Sequence, residues 1–160
     1  MKGINKVLTC VDFSEFSRET IEAALALTRG QNTEILLFNV INSRDVEAVR
    51  TVSPHLPEEF NVENYIKRVK AERQHMIEEI IKEHFFPDKA QMNILIRVGT
   101  PYRAILEAIE TENIDLVVIA CKGRSNLIGT LHGSNAEKVF RHSLVPVLSV
   151  RNRKRFGRNR

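Results

Sequence analysis

The sequence predicts an α/β fold in which an open, mostly parallel, five-stranded sheet carries helices on both faces. Short runs rich in apolar and β-branched residues alternate with longer segments of helical periodicity, which is typical of repeated strand–helix–strand units. The runs are apolar at consecutive positions, as expected of strands that are buried on both faces. A length of 160 residues, with 42% hydrophobic and 28% charged residues, suits one globular domain with its own core.

The first strand–helix–strand unit is predicted to end at residue 41. Its strands are the apolar runs 6–11 and 33–41, and the helix between them ends near Thr28. Gly30 follows that helix, where a left-handed C-terminal cap favours glycine. Because the connection holds one helix and joins parallel strands, we expect a right-handed crossover.

Asp12 has two interpretations. It precedes the first helix, where it can act as the N-cap, and Glu15 stands three residues later as a capping box requires. It also follows the carboxyl end of the first strand, where a carboxylate can accept hydrogen bonds from a ribose hydroxyl or an adenine amine. The two roles are compatible.

Residues 42–60 interrupt the strand–helix alternation with two prolines and several charges. A segment of this kind inside a compact domain is expected to be either disordered or a mobile flap over a site. A long amphipathic helix is then predicted from Val62 to about Phe86. Thr100 as N-cap and Pro101 at the first helical position begin the next helix, which ends near residues 112–113.

The three remaining strands are predicted at 92–98, 115–120 and 146–150. The loop after the fourth strand is the candidate for ligand binding. Gly123 permits a turn or a close approach, nine residues follow, and Gly133 and Ser134 begin a helix that ends near His142. The Ser134 hydroxyl and the amides of Ser134 and Asn135 would face a phosphate chain at this helix start. The alternative is a glycine turn followed by an ordinary serine cap.

Charge and hydropathy limit the classes of protein to consider. Of the 24 Lys and Arg residues, six lie in 151–160, which leaves 18 against 20 acidic residues elsewhere, so the net charge of +4 comes from a basic tail. We expect this tail to be disordered and solvated rather than to bind a polyanion. No apolar run approaches the roughly 18 residues of a membrane helix and no secretory signal is evident, so we expect a cytoplasmic protein.

Metal and thiol chemistry have little support in the sequence. Cys10 and Cys121 lack CxxC spacing and are expected to be free thiols. The histidines at 55, 75 and 84 have no partner ligand at a suitable spacing. The loop before Gly133 is not a Walker A loop, and no strand is followed by GxGxxG.

The sequence resembles the universal stress protein family, of the UspA type, over most of its length. The resemblance lies in KVLTCVDFSEFSRETIEAALAL, in LLFNVI, and in the C-terminal half from VGTPYR to LSVR. ATP-binding members have a glycine, two residues, a glycine, nine residues, then Gly-Ser or Gly-Thr. This chain has Ala120, two residues, Gly123, nine residues, then Gly133 and Ser134. The methyl group of Ala120 would restrict positive φ and lie beside the ribose.

The resemblance implies a Rossmann-like, adenine nucleotide alpha hydrolase-like fold over residues 1–150, with 151–160 as the tail. It also implies that ATP binds, with Mg²⁺ or Mn²⁺ carried on its phosphates. The implied contacts run from adenine and ribose to the phosphate chain and comprise Val11, Asp12, Val40, Ala120, Gly123, Arg124, Gly133, Ser134 and Asn135.

The function that follows from the resemblance is nucleotide-dependent regulation or stress protection. At most slow ATP hydrolysis is expected, because no catalytic base is evident beside Lys122 and Arg124. The resemblance also implies a homodimer through the last strand, 146–150. A UspA-like dimer that binds proteins and no nucleotide is the alternative, and a nucleic-acid contact through the tail is a third, less favoured one.

Overall fold

The computed structural model describes residues 3–55, 57–58, 60–121 and 133–151. Within these ranges, five strands form one sheet: β1 Lys6–Cys10, β2 Glu34–Asn42, β3 Met92–Gly99, β4 Leu116–Ala120 and β5 Val147–Val150. The strand order is β3-β2-β1-β4-β5, and every adjacent pair is parallel. Each strand matches its predicted range to within one residue at either end, so the predicted open parallel sheet is confirmed.

Five α-helices connect the strands in the described part of the chain: α1 Ser17–Thr28, α2 Ser43–Val52, α3 Val62–His84, α4 Pro101–Thr111 and α5 Ser134–His142. Short 3₁₀ helices follow α2 at Ser53–His55 and α3 at Phe86–Gln91. No helix of the described ranges is long and apolar enough to cross a membrane.

The two faces of the sheet bury separate apolar clusters. Alternate strand residues such as Leu8 and Phe38 pack with α4 and α5 on one face. Their neighbours, such as Val7 and Leu37, pack with α1 and α3 on the other face. Because successive strand residues point to opposite faces, a strand buried on both sides must be apolar at consecutive positions, which explains the continuous apolar runs.

Two predictions about local structure are wrong. Helix α1 begins at Ser17, with Phe16 as its N-cap, so Asp12 and Glu15 do not form a capping box. Residues 42–60 are not a loop throughout, since 43–52 form α2.

Helix α2 forms because its N-terminus is capped and its inner face is anchored. The Asn42 side chain accepts a hydrogen bond from the Arg44 amide at 3.0 Å, and Val46 is buried. Pro54 and Pro57 come after the last residue of α2 and so do not interrupt it.

Other predicted boundaries are confirmed. Gly30 has a φ of +76° just beyond α1, a left-handed conformation that suits glycine. Pro101 is the first residue of α4, and Thr100 is the N-cap, although its side chain makes no capping hydrogen bond.

The carboxyl ends of all five strands lie at one edge of the sheet because the strands are parallel. The chain proceeds outward from β1 to β2 and β3, then returns to the other side of β1 for β4 and β5. Open α/β sheets bind ligands at this kind of reversal, between strands whose connections lead in opposite directions. The reversal here lies between β1 and β4.

Candidate functional site

A cavity of ≈ 340 Å³ opens at the carboxyl ends of β1, β2 and β4, against the start of α5. Its volume lies within the range typical of small-molecule sites, roughly 300–1,000 Å³. Seven of the residues that the sequence assigned to a nucleotide line it: Val11, Asp12, Val40, Ala120, Gly133, Ser134 and Asn135. The other two, Gly123 and Arg124, lie outside the described residues.

Asp12 is held in a tight turn at the end of β1. Its Oδ1 atom accepts hydrogen bonds from the Ser14 amide at 3.0 Å and from the Ser17 hydroxyl at 3.2 Å. The other carboxylate oxygen has no hydrogen-bond partner within the described part of the chain. The turn therefore fixes one oxygen and leaves the other available at the cavity.

Phe13 completes this turn in a strained backbone conformation. Its φ of +61° lies in the left-handed region, which costs a bulky residue about 1–3 kcal/mol. Strain of this size persists where the surrounding structure enforces it and is frequent at functional sites. Phe13 lies between Asp12 and Ser14, so this conformation is part of the turn in which the Ser14 amide donates to the Asp12 carboxylate.

Ala120 ends β4 in the cavity wall, where its position is paired with Val150 of β5. It is not among the described non-glycine residues with positive φ. The backbone at this position therefore has no need of glycine, and the cavity remains open beside the alanine methyl group.

The N-terminus of α5 closes the opposite side of the cavity. Gly133 is the N-cap, and its amide donates to the Cys121 carbonyl at 2.7 Å. The first amide bonded back into the helix is that of Glu137, which donates to the Gly133 carbonyl at 3.0 Å. Helix geometry leaves the amides of Ser134, Asn135 and Ala136 without an intrahelical acceptor. These amides and the helix dipole favour an anion here.

Gly133 and not Ser134 occupies the N-cap position, so Ser134 is not the cap of α5. The Gly133 amide is also committed to Cys121. Of the three residues expected to hold a phosphate chain, Ser134 and Asn135 therefore have amides available, and Gly133 contributes only its lack of a side chain.

The family of the chain follows from its sequence as a whole. A model of the universal stress protein family matches residues 3–151. The chain belongs to this family. Universal stress protein YxiE of Bacillus subtilis is 30% identical over 152 residues, which cover 92% of this chain and 99% of the relative.

Solved structures of family members share the fold. Protein MJ0577 of Methanocaldococcus jannaschii superposes with a TM-score of 0.77 at 28% identity, covering 94% of this chain and 97% of that one. A universal stress protein from Archaeoglobus fulgidus in complex with dAMP has a TM-score of 0.57 at 17% identity, covering 94% and 100% of the two chains. An adenine nucleotide thus binds at least one protein of this architecture.

This universal stress protein also has cavity residues that the sequence did not reveal. Four polar ones are Asn39, Asn42, Asp45 and Arg73. Asn39 carried a detectable signal, because it is a polar residue inside the apolar run LLFNVI and is only 4% exposed. No sequence signal marked Arg73, because it is one of many charged residues on α3. Only the packing of that helix brings it to the cavity.

Asn39 and Arg73 form a hydrogen-bonded chain across three elements. The Asn39 side-chain amide donates to the Val11 carbonyl at 2.6 Å. Arg73 Nη1 donates to Asn39 Oδ1 and to the Val40 carbonyl, each at 2.7 Å. These hydrogen bonds link α3 through β2 to Val11, the residue before Asp12, so they support the turn that holds Asp12. A buried amide is stable here because its polar groups are paired.

The two cysteines of this family member are free thiols, as predicted. Cys10 lines the cavity, and its burial raises its pKa to about 12, with the Asp12 carboxylate adding to the effect. Because the thiolate is the reactive form, Cys10 is a poor nucleophile at neutral pH. The cavity therefore contains a thiol that packs rather than reacts.

Metal ligands are also sparse at the site. The described ranges contain no group of three His, Cys, Asp or Glu side chains that could hold a metal ion. Asp12 and Asp45 are the carboxylates among the cavity residues. A Mg²⁺ ion is commonly bound by one or two carboxylates together with phosphate oxygens, so a cation at this site would need a phosphate ligand.

Proposed function

We propose that this universal stress protein binds an adenine nucleotide, with ATP as the expected ligand, and acts as a nucleotide-dependent regulatory or stress-protective protein. The observation that carries the proposal is one cavity that has a carboxylate at one side and a helix N-terminus at the other. Asp12 offers a hydrogen-bond acceptor for ribose hydroxyls. The amides at the start of α5 offer a site for phosphates.

The charges around the cavity favour one direction for a bound nucleotide. The Asp12 and Asp45 carboxylates would repel phosphate oxygens, whereas the α5 amides attract them. We therefore expect the phosphates at α5 and the ribose near Asp12, which leaves the β2 side of the cavity for the base. The A. fulgidus protein in complex with dAMP supports an adenine nucleotide as the ligand class. Mg²⁺ or Mn²⁺ would be carried by the phosphates.

Hydrolysis in this arrangement is slow at most. The described cavity residues at the phosphate side, 133–136, include no carboxylate or imidazole that could orient an attacking water. Phosphoryl transfer needs such a group together with charge stabilisation at the γ-phosphate. The nucleotide therefore serves as a bound signal or structural ligand.

Calorimetric titration with ATP tests the proposal. The wild type is expected to bind, and Gly133→Val is expected to raise the Kd about tenfold, because a branched side chain crowds the approach to the α5 amides. The backbone of Gly133, with φ −66° and ψ 147°, accepts valine without strain.

Gly3→Val is the matched control, since a Cβ atom at Gly3 meets nothing within 4 Å. Equal affinities of Gly133→Val and the wild type would place ATP elsewhere. No binding by the wild type would favour the alternative function, a protein-interaction module.

We also propose a homodimer that forms through β5. This strand is the last of the sheet, and its residues are all partly exposed. The carbonyls of Pro146 and Val150 point toward β4, so strand geometry turns the peptide groups of Val147 and Ser149 to the open edge. An open edge of this kind pairs readily with another strand.

Sedimentation analysis of the wild type and Ser149→Pro tests the dimer. We expect the wild type to sediment at twice the monomer mass and Ser149→Pro to sediment as a monomer, because proline removes an outward N–H without removing a bond to β4. Leu144→Ala, a change at an exposed side chain outside β5, is the control. A monomeric wild type would contradict the proposed interface.

A further inference from the structure

Two positively charged side chains meet at one aromatic ring between α4 and α5. Tyr102 is half-buried and packs against the apolar cluster on this face of the sheet. The Lys138 ammonium lies over its ring, 4.7 Å from the centroid. The Arg103 guanidinium carbon lies 5.8 Å from the same centroid, and Arg103 Nε donates to the Tyr102 hydroxyl at 2.9 Å. One tyrosine thus holds two positive charges, the cation pair Arg103 and Lys138.

The cation pair is not neutralised by acidic residues of the described ranges. Glu137 lies beside the lysine in sequence, but it is paired with Arg141 at 2.7 Å. Glu107 lies one helical turn beyond the arginine and forms no ion pair with it in these ranges. The cavity carboxylates, Asp12 and Asp45, form none with either cation. Two like charges held close together without an acidic partner favour the binding of an anion.

The cation pair lies beside the phosphate side of the cavity. Pro101, the residue before Tyr102, lines the cavity, and so does Ser134 at the start of α5. Lys138 follows Ser134 by four residues, so it lies on the same face of α5, about 6 Å farther along the axis. Helical side chains lean toward the N-terminus of their helix, which directs this lysine toward the cavity end of α5.

We propose that the cation pair is a subsite for the terminal phosphates of a bound nucleotide and makes the protein selective for a nucleoside triphosphate over the monophosphate. This inference rests on the proposed function, because the subsite continues a phosphate chain that begins at the α5 amides. The ligand class that it names is the nucleoside triphosphate.

The two ligands differ in what they present beyond the start of α5. The phosphate of a monophosphate ends at the amides of Ser134 and Asn135. A triphosphate has two further phosphate groups, which extend past these amides. Neither cation is among the described lining residues of the cavity, so the cation pair contacts the part of the ligand that extends out of it. The additional negative charge of the triphosphate is attracted there.

The two cations suit phosphate oxygens in different ways. Arg103 uses only its Nε atom in hydrogen bonds within the described part of the chain, so its Nη groups remain for a ligand. A guanidinium can donate two parallel hydrogen bonds to a phosphate, whereas an ammonium attracts it as a point charge. The residues that precede α5 in sequence, 122–132, include no acid that would oppose this attraction.

Calorimetric titrations with ATP and with AMP test the subsite. The measured quantity is the Kd for AMP divided by the Kd for ATP, and for the wild type we expect a ratio of about ten or more. Arg103→Gln and Lys138→Gln should each lower the ratio about threefold, and the double variant about tenfold, because single exposed ion pairs are weak. Both side chains are exposed, so these variants keep the fold.

Two control variants separate the subsite from a general effect of charge. Lys89→Gln removes a lysine that lies 4.2 Å over the ring of Phe86, just before the amino end of β3 and so away from the cavity. It should leave the ratio unchanged. Lys138→Arg keeps the positive charge and should keep the ratio near the wild-type value. Added salt should lower the ratio of the wild type more than that of the double variant.

Each outcome has a distinct meaning. Equal affinities of the wild type for AMP and ATP would overturn the inference and leave the proposed function intact, because an adenine nucleotide would still bind. An unchanged ratio in the double variant would also overturn the inference, even if both affinities fell together. A wild type that binds neither nucleotide overturns the proposed function and the inference with it.

Discussion

Replacing Phe38 with alanine is expected to lower the free energy of unfolding by about 3–5 kcal/mol. Phe38 lies in β2, one of the central strands, and is only 1% exposed. Its ring packs in the cluster that joins the sheet to α4 and α5, so truncation removes buried apolar surface and leaves a void. Urea denaturation monitored by circular dichroism measures the change.

Phe140→Ala is the matched control for this prediction. Phe140 lies in α5 and is 67% exposed, so the same truncation removes little buried surface. We expect its effect to stay within about 0.5 kcal/mol. Equal destabilisation by the two variants would mean that Phe38 is not part of the packed core.

Replacing Asp12 with alanine is expected to raise the Kd for ATP about 100-fold, since hydrogen bonds to a charged group contribute up to about 3 kcal/mol. The substitution removes the carboxylate oxygen that has no hydrogen-bond partner within the described ranges. It also removes the acceptor of the Ser14 and Ser17 hydrogen bonds, which loosens the turn. Isothermal titration calorimetry measures the affinity.

Asp12→Asn separates these two effects. The asparagine Oδ1 can still accept from the Ser14 amide and the Ser17 hydroxyl, so the turn is retained while the charge and the second acceptor are lost. We expect an intermediate loss of affinity. If Asp12→Ala bound ATP as tightly as the wild type, the ribose would not contact this carboxylate.

The sequence predicted the sheet well because its strands are buried on both faces. The runs of consecutive apolar residues in β1 and β2 indicate strands in the centre of the sheet, because only such strands are covered on both faces. The parallel arrangement follows because a helix connects each strand to the next. The seven cavity residues were found through their places at strand ends and at a helix start, or through the resemblance to a known family.

The features that the sequence did not reveal depend on contacts between distant segments. Asp12 was expected to cap α1, but its carboxylate bonds within a local turn and the helix begins later. Arg73 reaches the cavity because of the way that α3 packs on β2, and the charge pattern of a polar helix does not disclose this. Pro54 and Pro57 give residues 42–60 the composition of a loop, whereas the capping residue Asn42 is a weaker sequence signal, so α2 was not predicted.

The two edges of the sheet differ in their side chains. The β5 edge consists of Val147 to Val150, whereas the β3 edge carries polar side chains. On β3, Asn93 donates to Glu34 at 2.9 Å and Arg97 bonds to Glu112 at 2.7 Å. A partner strand at this edge would have to compete with charged groups, which natural sheets use to block further pairing. In a dimer joined at β5, the two outer edges of the combined sheet would both be β3 strands. Their charged side chains would disfavour the addition of further copies, so the assembly would stop at two.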